Sequence, residues 1–116
     1  MVKVRISLKN DIVFLLDVEG HTSTRECAAL SVLAVSYANS IIGLGGTEVT
    51  VVAPHPGKIH VEILSHAWYR NPSLKGMSDF LRSGLDVVCA NAHNEIDVCV
   101  EDEYAEKPRM VHKRSE

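Results

Sequence analysis

The chain has 116 residues, of which 46% are hydrophobic and 23% charged, the balance of a single globular domain whose core needs no disulfides. Its formal charge of −3 provides no positive field that would attract nucleic acid or an anionic membrane. The three cysteines form no CxxC pair, so neither a disulfide framework nor a structural zinc site is indicated. We expect no cofactor, no metal, no membrane partner and no direct nucleic-acid binding, and thiols kept reduced in the cytoplasm.

The first half of the chain predicts a hairpin followed by a helix. Apolar and charged residues alternate over Val2–Leu8, which is typical of a half-buried strand, and Ile12–Val18 is a β-rich run that returns beside it. Ser23 and Glu26 have the spacing of a capping box. They introduce an apolar, alanine-rich helix over residues 24–42, which we expect to be the central buried helix.

The second half predicts two more strands, a helix and a last strand. The strands are expected over Glu48–Ala53, Lys58–Leu64 and Ile96–Glu101, and the helix over Ser73–Ala92. One apolar stripe runs along this second helix and consists of Leu74, Met77, Phe80 or Leu81, Leu85 and Val88. Its central position can be occupied by either Phe80 or Leu81.

The resulting order is ββαββαβ. Hairpins combined with helices on one side predict an α+β fold, a two-layer sandwich of a mostly antiparallel sheet with two helices on one face. No linker divides residues 1–103, which we expect to form one domain, and the charged segment 104–116 is expected to be a flexible tail.

One local arrangement carries reactive chemistry. Gly20 and His21 close a predicted strand, and Cys27 falls in the first turn of the next helix. A helix N-terminus and a nearby imidazolium both lower the pKa of a thiol, and unpaired N–H groups at a helix start stabilise an oxyanion. A Cys–His dyad in that setting has what acyl transfer to a thiol requires. A cysteine on an alanine-rich helix is also commonly a small buried hydrophobe, so spacing alone leaves both interpretations open.

A wider pattern surrounds these residues. It consists of three short motifs: Gly20-His21, Cys27-Ala28-Ala29-Leu30-Ser31 and Asn39-Ser40-Ile41-Ile42-Gly43-Leu44. Together they resemble the ribosomal-processing cysteine protease family, which has a Gly-His strand end, a Cys-Ala-Ala-x-Ser helix start and an Asn-x-Ile-x-Gly-Leu helix end. The predicted order of elements is similar as well.

The resemblance implies a cytoplasmic homodimer that removes an N-terminal extension from a large-subunit ribosomal protein during ribosome assembly. It implies His21 and Cys27 as the catalytic dyad, with supporting roles for Gly20 and Ser31. The family's longer, glycine-containing substrate loop corresponds here to five residues: Thr22, Ser23, Thr24, Arg25 and Glu26. Family members commonly have Asp-Ile-Val where this chain has the last three of these. We expect the short loop to be ordered without substrate and to leave an open groove.

The remaining candidate residues favour structural roles. His60 and Glu62 share a predicted strand face with His66 nearby, but strand alternation alone produces such a polar face, so we expect no metal site there. Cys89 is expected in the core, and Trp68 in an aromatic segment suited equally to packing, peptide binding or dimerisation.

Two functions therefore compete. The first is a cysteine endopeptidase that trims a ribosomal protein. The second is a non-catalytic relative that binds a ribosomal or other peptide in the same groove. Selective reaction of Cys27 with iodoacetamide, compared with Cys89 and Cys99, favours the first.

Overall fold

The structure is a computed structural model that describes residues 1–20, 24–55, 57–91, 95–102 and 112–113. A 3-10 turn, Trp68–Arg70, precedes the second helix. The other elements are, in chain order, β1 (Val2–Lys9), β2 (Ile12–Gly20), α1 (Thr24–Leu44), β3 (Thr47–His55), β4 (Lys58–His66), α2 (Asn71–Ala90), β5 (Ile96–Asp102) and β6 (His112–Lys113). The predicted α+β fold is confirmed. The structure adds the 3-10 turn and the two-residue strand β6, which lies in the segment expected to be a tail.

The strands form one sheet in the order β3-β4-β2-β1-β5-β6. Only β1 and β5 run parallel, with Val2 opposite Ile96, and the other described pairs are antiparallel. The first strand of the chain therefore lies inside the sheet, between β2 and β5.

Both helices cover the same face of this sheet. The alternate residues of β1 that face the helices, Val2, Val4, Ile6 and Leu8, are almost completely buried. The opposite face of the sheet is polar. It includes an ion pair of 2.7 Å between Lys58 of β4 and Glu19 of β2. This pair is exposed, so it contributes little to stability, and burial beneath the helices is the main stabilising term.

Strand β2 contains a bulge close to its start. Ser7 lies opposite Leu15, but the next residue, Leu8, lies opposite Val13, so β2 has one residue more than β1 at this point. The extra residue, Phe14, disturbs the ladder of backbone hydrogen bonds. As a result, the backbone N–H and carbonyl oxygen of Val13 form hydrogen bonds with side chains of the two helices.

Two side chains bind that backbone, one from each helix. The Tyr37 hydroxyl donates to the Val13 carbonyl oxygen at 2.6 Å, and the Val13 N–H donates to Ser78 Oγ at 2.8 Å. Ser78 Oγ in turn donates to the Leu74 carbonyl oxygen at 2.7 Å. All these groups are buried, and burial raises the pKa of Tyr37 to about 12. The network joins α1 and α2 to a single residue of β2.

The helices correct one detail of the sequence prediction and decide another that it left open. Helix α1 is not the central buried helix, because it packs through one side only and 28% of its stretch Cys27–Leu44 is buried. That stretch is long and apolar enough to cross a membrane by length and composition, but a helix that forms one wall of a core meets the same criteria. In α2, Leu81 is the core residue and Phe80 is 77% exposed.

The wild type should lose stability at high pH as Tyr37 ionises, and the variant Tyr37→Phe should not show this loss. The pKa of Tyr37 is higher in the folded protein than its ordinary value of 10.0, so its contribution is complete below about pH 10 and disappears as the pH rises through about 12. Two pKa units correspond to about 3 kcal/mol. Near pH 8 the variant should be less stable by about 1–3 kcal/mol, because the Val13 carbonyl loses its donor.

The measurement is urea unfolding of wild type and Tyr37→Phe between about pH 8 and pH 11.5. The difference in unfolding free energy should narrow as the pH rises. Tyr69→Phe, at a residue that is 56% exposed, is the control and should track wild type. A difference that stays constant across the pH range would contradict the prediction.

Candidate active site

The end of β2 has a backbone shape that requires glycine. Gly20 has a φ of +118°, and a Cβ at this position would overlap the carbonyl oxygen of Met1. Its N–H donates to the Gly57 carbonyl oxygen at 2.9 Å, and it lies opposite Val2 in the ladder. Gly20 is therefore clamped between the first residues of the chain and the β3–β4 turn.

Cys27 is the fourth residue of α1, within its first turn. It is half-buried, and its side chain packs against the edge of the hydrophobic core. Because the N–H groups of a first helical turn lack partners within the helix, the thiol lies close to the positive end of the helix dipole. The described side chains thus include a thiol placed where negative charge is favoured.

Only part of the predicted site falls within the described residues. His21, Thr22 and Ser23 lie outside them, as do the side chains of Thr24 and Glu26, although these last two belong to the backbone of α1. Arg25 and Ser31 are exposed, and Ser31 lies one turn beyond Cys27. The separation of the His21 and Cys27 side chains therefore stays a prediction.

The path of the backbone restricts how far the two halves of the site can separate. Three residues, 21–23, connect Gly20 with Thr24. Since an extended chain advances by at most about 3.6 Å per residue, the Cα atoms of Gly20 and Thr24 lie within about 14 Å of each other. The strand end and the first turn of α1 therefore border one small region at the same end of the sheet.

A second polar cluster lies on the opposite, open face of the sheet. His60 Nδ1 is 3.4 Å from Asp17 Oδ1, and His60 Nε2 is 3.2 Å from Glu62 Oε1. His66 is not part of the cluster, because its Nδ1 lies 3.1 Å from the carbonyl oxygen of Ala67. In the part of the chain that the structure describes, no group of three or more potential ligands is arranged to hold a metal ion.

Cys27 lines neither of two cavities that the described residues form. One, of about 210 Å³, is a groove between α1 and α2 that includes Ser36 and Phe80. The other, of about 360 Å³, lies where β4 separates from β2, beside His66 and Asn71. Both are therefore separate from the thiol.

Sequence reasoning missed three groups that hold the site in place. Gly57 and Met1 contact Gly20, and Tyr37 ties α1 to β2. A tyrosine in an apolar, alanine-rich helix was the available signal for the last of these, because a buried hydroxyl needs a partner. Nothing local in the sequence indicated the first two.

Comparison with known proteins identifies the fold. No family model matches the chain, and the curated proteins include no match. Among solved structures, the ribosomal processing protease Prp of S. aureus with a covalently linked product peptide is similar, with a TM-score of 0.70 and 18% identity. The match covers 89% of this chain and 100% of that one.

Two further structures agree. SMU.848 from Streptococcus mutans has a TM-score of 0.71 at 14% identity, over 89% of this chain and 96% of that one. Prp from S. aureus with a substrate peptide has a TM-score of 0.65 at 17% identity, over 89% of this chain and 100% of that one. The resemblance read from the motifs is thus confirmed at the level of the fold.

Gly20→Ala should destabilise the protein by about 2 kcal/mol or more. A side chain at a positive φ costs about 1–3 kcal/mol, and the Cβ would also displace Met1. Gly76→Ala is the matched control, since Gly76 lies within α2 and has nothing within 4 Å of a Cβ. That change should be neutral or stabilise by up to about 1 kcal/mol. Urea unfolding measures both, and equal effects would refute the clamp at Gly20.

Proposed function

We propose that this chain is a cysteine endopeptidase with Cys27 as nucleophile and His21 as general base. The observation that carries the proposal is the position of Cys27 in the first turn of α1, a helix that begins after the three residues that follow the strand end at Gly20. A fold shared with a ribosomal processing protease over 89% of the chain supports it. A thiol in the first turn of a helix, where the backbone N–H groups have no partner within the helix, suits acyl transfer.

The proposed reaction has two halves, acylation of Cys27 and hydrolysis of the resulting thioester, and His21 transfers a proton in each. His21 takes the proton of the Cys27 thiol, and the thiolate attacks the carbonyl carbon of the scissile peptide bond. The N–H groups of the first turn of α1 stabilise the oxyanion that forms. The leaving amine takes the proton from His21, and a thioester remains on Cys27. Water, deprotonated by His21, then hydrolyses the thioester and regenerates the thiol.

The proposed substrate is an N-terminal extension of a ribosomal protein. The S. aureus structures of similar fold hold a substrate peptide or a covalently linked product peptide, which supports a peptide groove in this fold. We assign residues 22–26 to the substrate side of that groove. We also assign to Gly20, which closes the strand, the positioning of His21, and to Ser31, which is exposed and lies one turn beyond Cys27, a place at the border of that groove.

The proposed setting is the cytoplasm, with the enzyme acting as a homodimer on a ribosomal protein and without direct contact to nucleic acid. The competing proposal, a non-catalytic peptide binder, uses the same groove and predicts binding without turnover. The described structure fits both, because an enzyme and a peptide binder would use the same placement of Gly20 and Cys27. Kinetics separates them.

Cys27→Ala should abolish cleavage of peptides that span a ribosomal N-terminal extension, while peptide binding persists. His21→Ala should slow cleavage about 10²- to 10⁴-fold, because the thiol remains but its base is lost. The measurement is cleavage of a peptide panel by mass spectrometry, with binding followed by calorimetry. Cys89→Ala is the control. Because Cys89 lies on α2, this variant should cleave the peptides at the wild-type rate.

Alkylation by iodoacetamide gives an independent readout. Near neutral pH, Cys27 should react much faster than Cys89 or Cys99, and His21→Ala should slow that reaction selectively. Cleavage by Cys27→Ala at the wild-type rate would refute the enzyme proposal. Peptide binding by wild type without any cleavage would favour the non-catalytic alternative.

A further inference from the structure

The cavity of about 360 Å³ lies at the end of the sheet opposite to Cys27. The ladder between β2 and β4 ends at Leu15 and Glu62, and the two strands separate beyond the bulge at Phe14. The β1–β2 turn and the first residue of α2, Asn71, border the space between them. Since β2 is nine residues long, its two ends are about 26 Å apart. The cavity is therefore separate from the site proposed around Cys27.

A buried acceptor without a donor borders this cavity. Asn71 Oδ1 is buried and, among the residues that the structure describes, has no hydrogen-bond partner. An asparagine at the start of a helix commonly accepts a hydrogen bond from an N–H group of the first turn. Asn71 makes no such bond, although it is the first residue of α2. Because an unpaired buried acceptor costs stability, this oxygen requires a donor that the described part of the chain does not supply.

A second acceptor lines the same cavity. His66 Nδ1 lies 3.1 Å from the carbonyl oxygen of Ala67, which can only accept, so Nδ1 carries the hydrogen. In the neutral ring Nε2 is then an acceptor. The neighbouring Ser65 hydroxyl donates to Glu48 Oε2 at 3.3 Å, so its hydrogen is already used. The cavity therefore combines two acceptors, Asn71 Oδ1 and His66 Nε2, with the donor Nδ2 of the same Asn71 amide.

A primary carboxamide matches these donors and acceptors. One of its N–H groups donates to Asn71 Oδ1 while its oxygen accepts from Asn71 Nδ2, and its second N–H remains for His66 Nε2. A carboxylate would place an oxygen against Asn71 Oδ1, and an ammonium group would leave Asn71 Nδ2 without an acceptor. An amide is therefore the group that pairs both ends of the Asn71 side chain.

The walls of the cavity are apolar. Ile12 and Phe14 contribute to them from β2, and Ile63 and Leu64 from β4. Small-molecule sites commonly combine such walls with a few polar groups that fix the orientation of the ligand. Lys9 also lines the cavity and is exposed, so the cavity opens to solvent on that side. An amide bound here therefore needs a short hydrocarbon chain that lies between the walls and leads out to solvent.

We propose that this cavity binds a primary carboxamide on a short apolar chain, the chemistry of a glutamine side chain, and that Asn71 recognises the amide. Free glutamine and a glutamine residue within a peptide share this chemistry, and separate probes distinguish the two sources. The proposal goes beyond the protease proposal, because the site lies at the other end of the sheet from Cys27 and does not depend on peptide cleavage.

The test is an NMR titration of the isotopically labelled full chain with L-glutamine, L-glutamate and N-acetyl-L-glutamine N-methylamide. Glutamine has about ten non-hydrogen atoms, so it should shift the signals of Asn71 and His66 with a dissociation constant on the order of 1 mM. Glutamate has the same size and should bind at least about tenfold more weakly, because its carboxylate cannot donate. Binding of the blocked glutamine alone would assign the site to a peptide, and binding of free glutamine alone would assign it to the amino acid.

Asn71→Leu separates recognition from a structural role. Leucine has a similar volume and no unpaired acceptor, so the variant should lose glutamine binding while its urea unfolding midpoint equals or exceeds that of wild type. Asn91→Leu makes the same change at the exposed, C-terminal end of the same helix. This matched control should bind glutamine as wild type does.

Three results would overturn the proposal. One is the lack of a saturable shift with either form of glutamine at about 20 mM, far above the expected dissociation constant. Another is equal affinity for glutamine and glutamate, which would show that the amide is not recognised. The third is an Asn71→Leu variant that binds glutamine as wild type does, or that unfolds at a lower urea concentration than wild type. A protein that binds glutamine without cleaving peptides would refute the protease and leave this inference intact.

Discussion

The bulge at Val13 is the constraint on which the arrangement of the two layers depends. Its displaced N–H and carbonyl oxygen are buried, and Tyr37 from α1 and Ser78 from α2 bind them. Since an unpaired buried polar group is costly, neither helix can slide along the sheet without losing a partner. Cys27 lies ten residues before Tyr37 on a rigid helix, about 15 Å along its axis. A contact in the core therefore fixes where the thiol lies relative to the strand end.

The sequence predicted those parts of the fold that follow from local pattern. The alternation over Val2–Leu8 identified β1, and the capping box set the start of α1 at Thr24, where the structure has it. The pattern could not choose between Phe80 and Leu81, because both fit an apolar stripe and the angle at which α2 meets the sheet decides. The prediction of a buried α1 failed for a similar reason. Composition reports how apolar a helix is, and not how many of its sides have a neighbour.

The candidate site also has features that local sequence predicts and features that it does not. Gly20 and Cys27 are recognisable from motifs, since a strand end and a helix start are local features. The reason that residue 20 must be glycine depends on Met1, and the partners of Val13 are Tyr37 and Ser78, which are 24 and 65 residues away along the chain. Such contacts depend on topology, and no short window of sequence contains them.

The parallel pairing of β1 with β5 has a consequence for synthesis on the ribosome. Val2 leaves the exit tunnel long before its ladder partner Ile96, and the Val2 N–H donates to the carbonyl oxygen of Glu95. Long-range pairs of this kind close slowly, and they cannot begin before the second partner has emerged. Until then, one edge of the strand beside Gly20 has no cover, and the clamp around that glycine is incomplete. The surroundings of the Cys27 thiol are therefore complete only after β5 has been synthesised and has paired with β1.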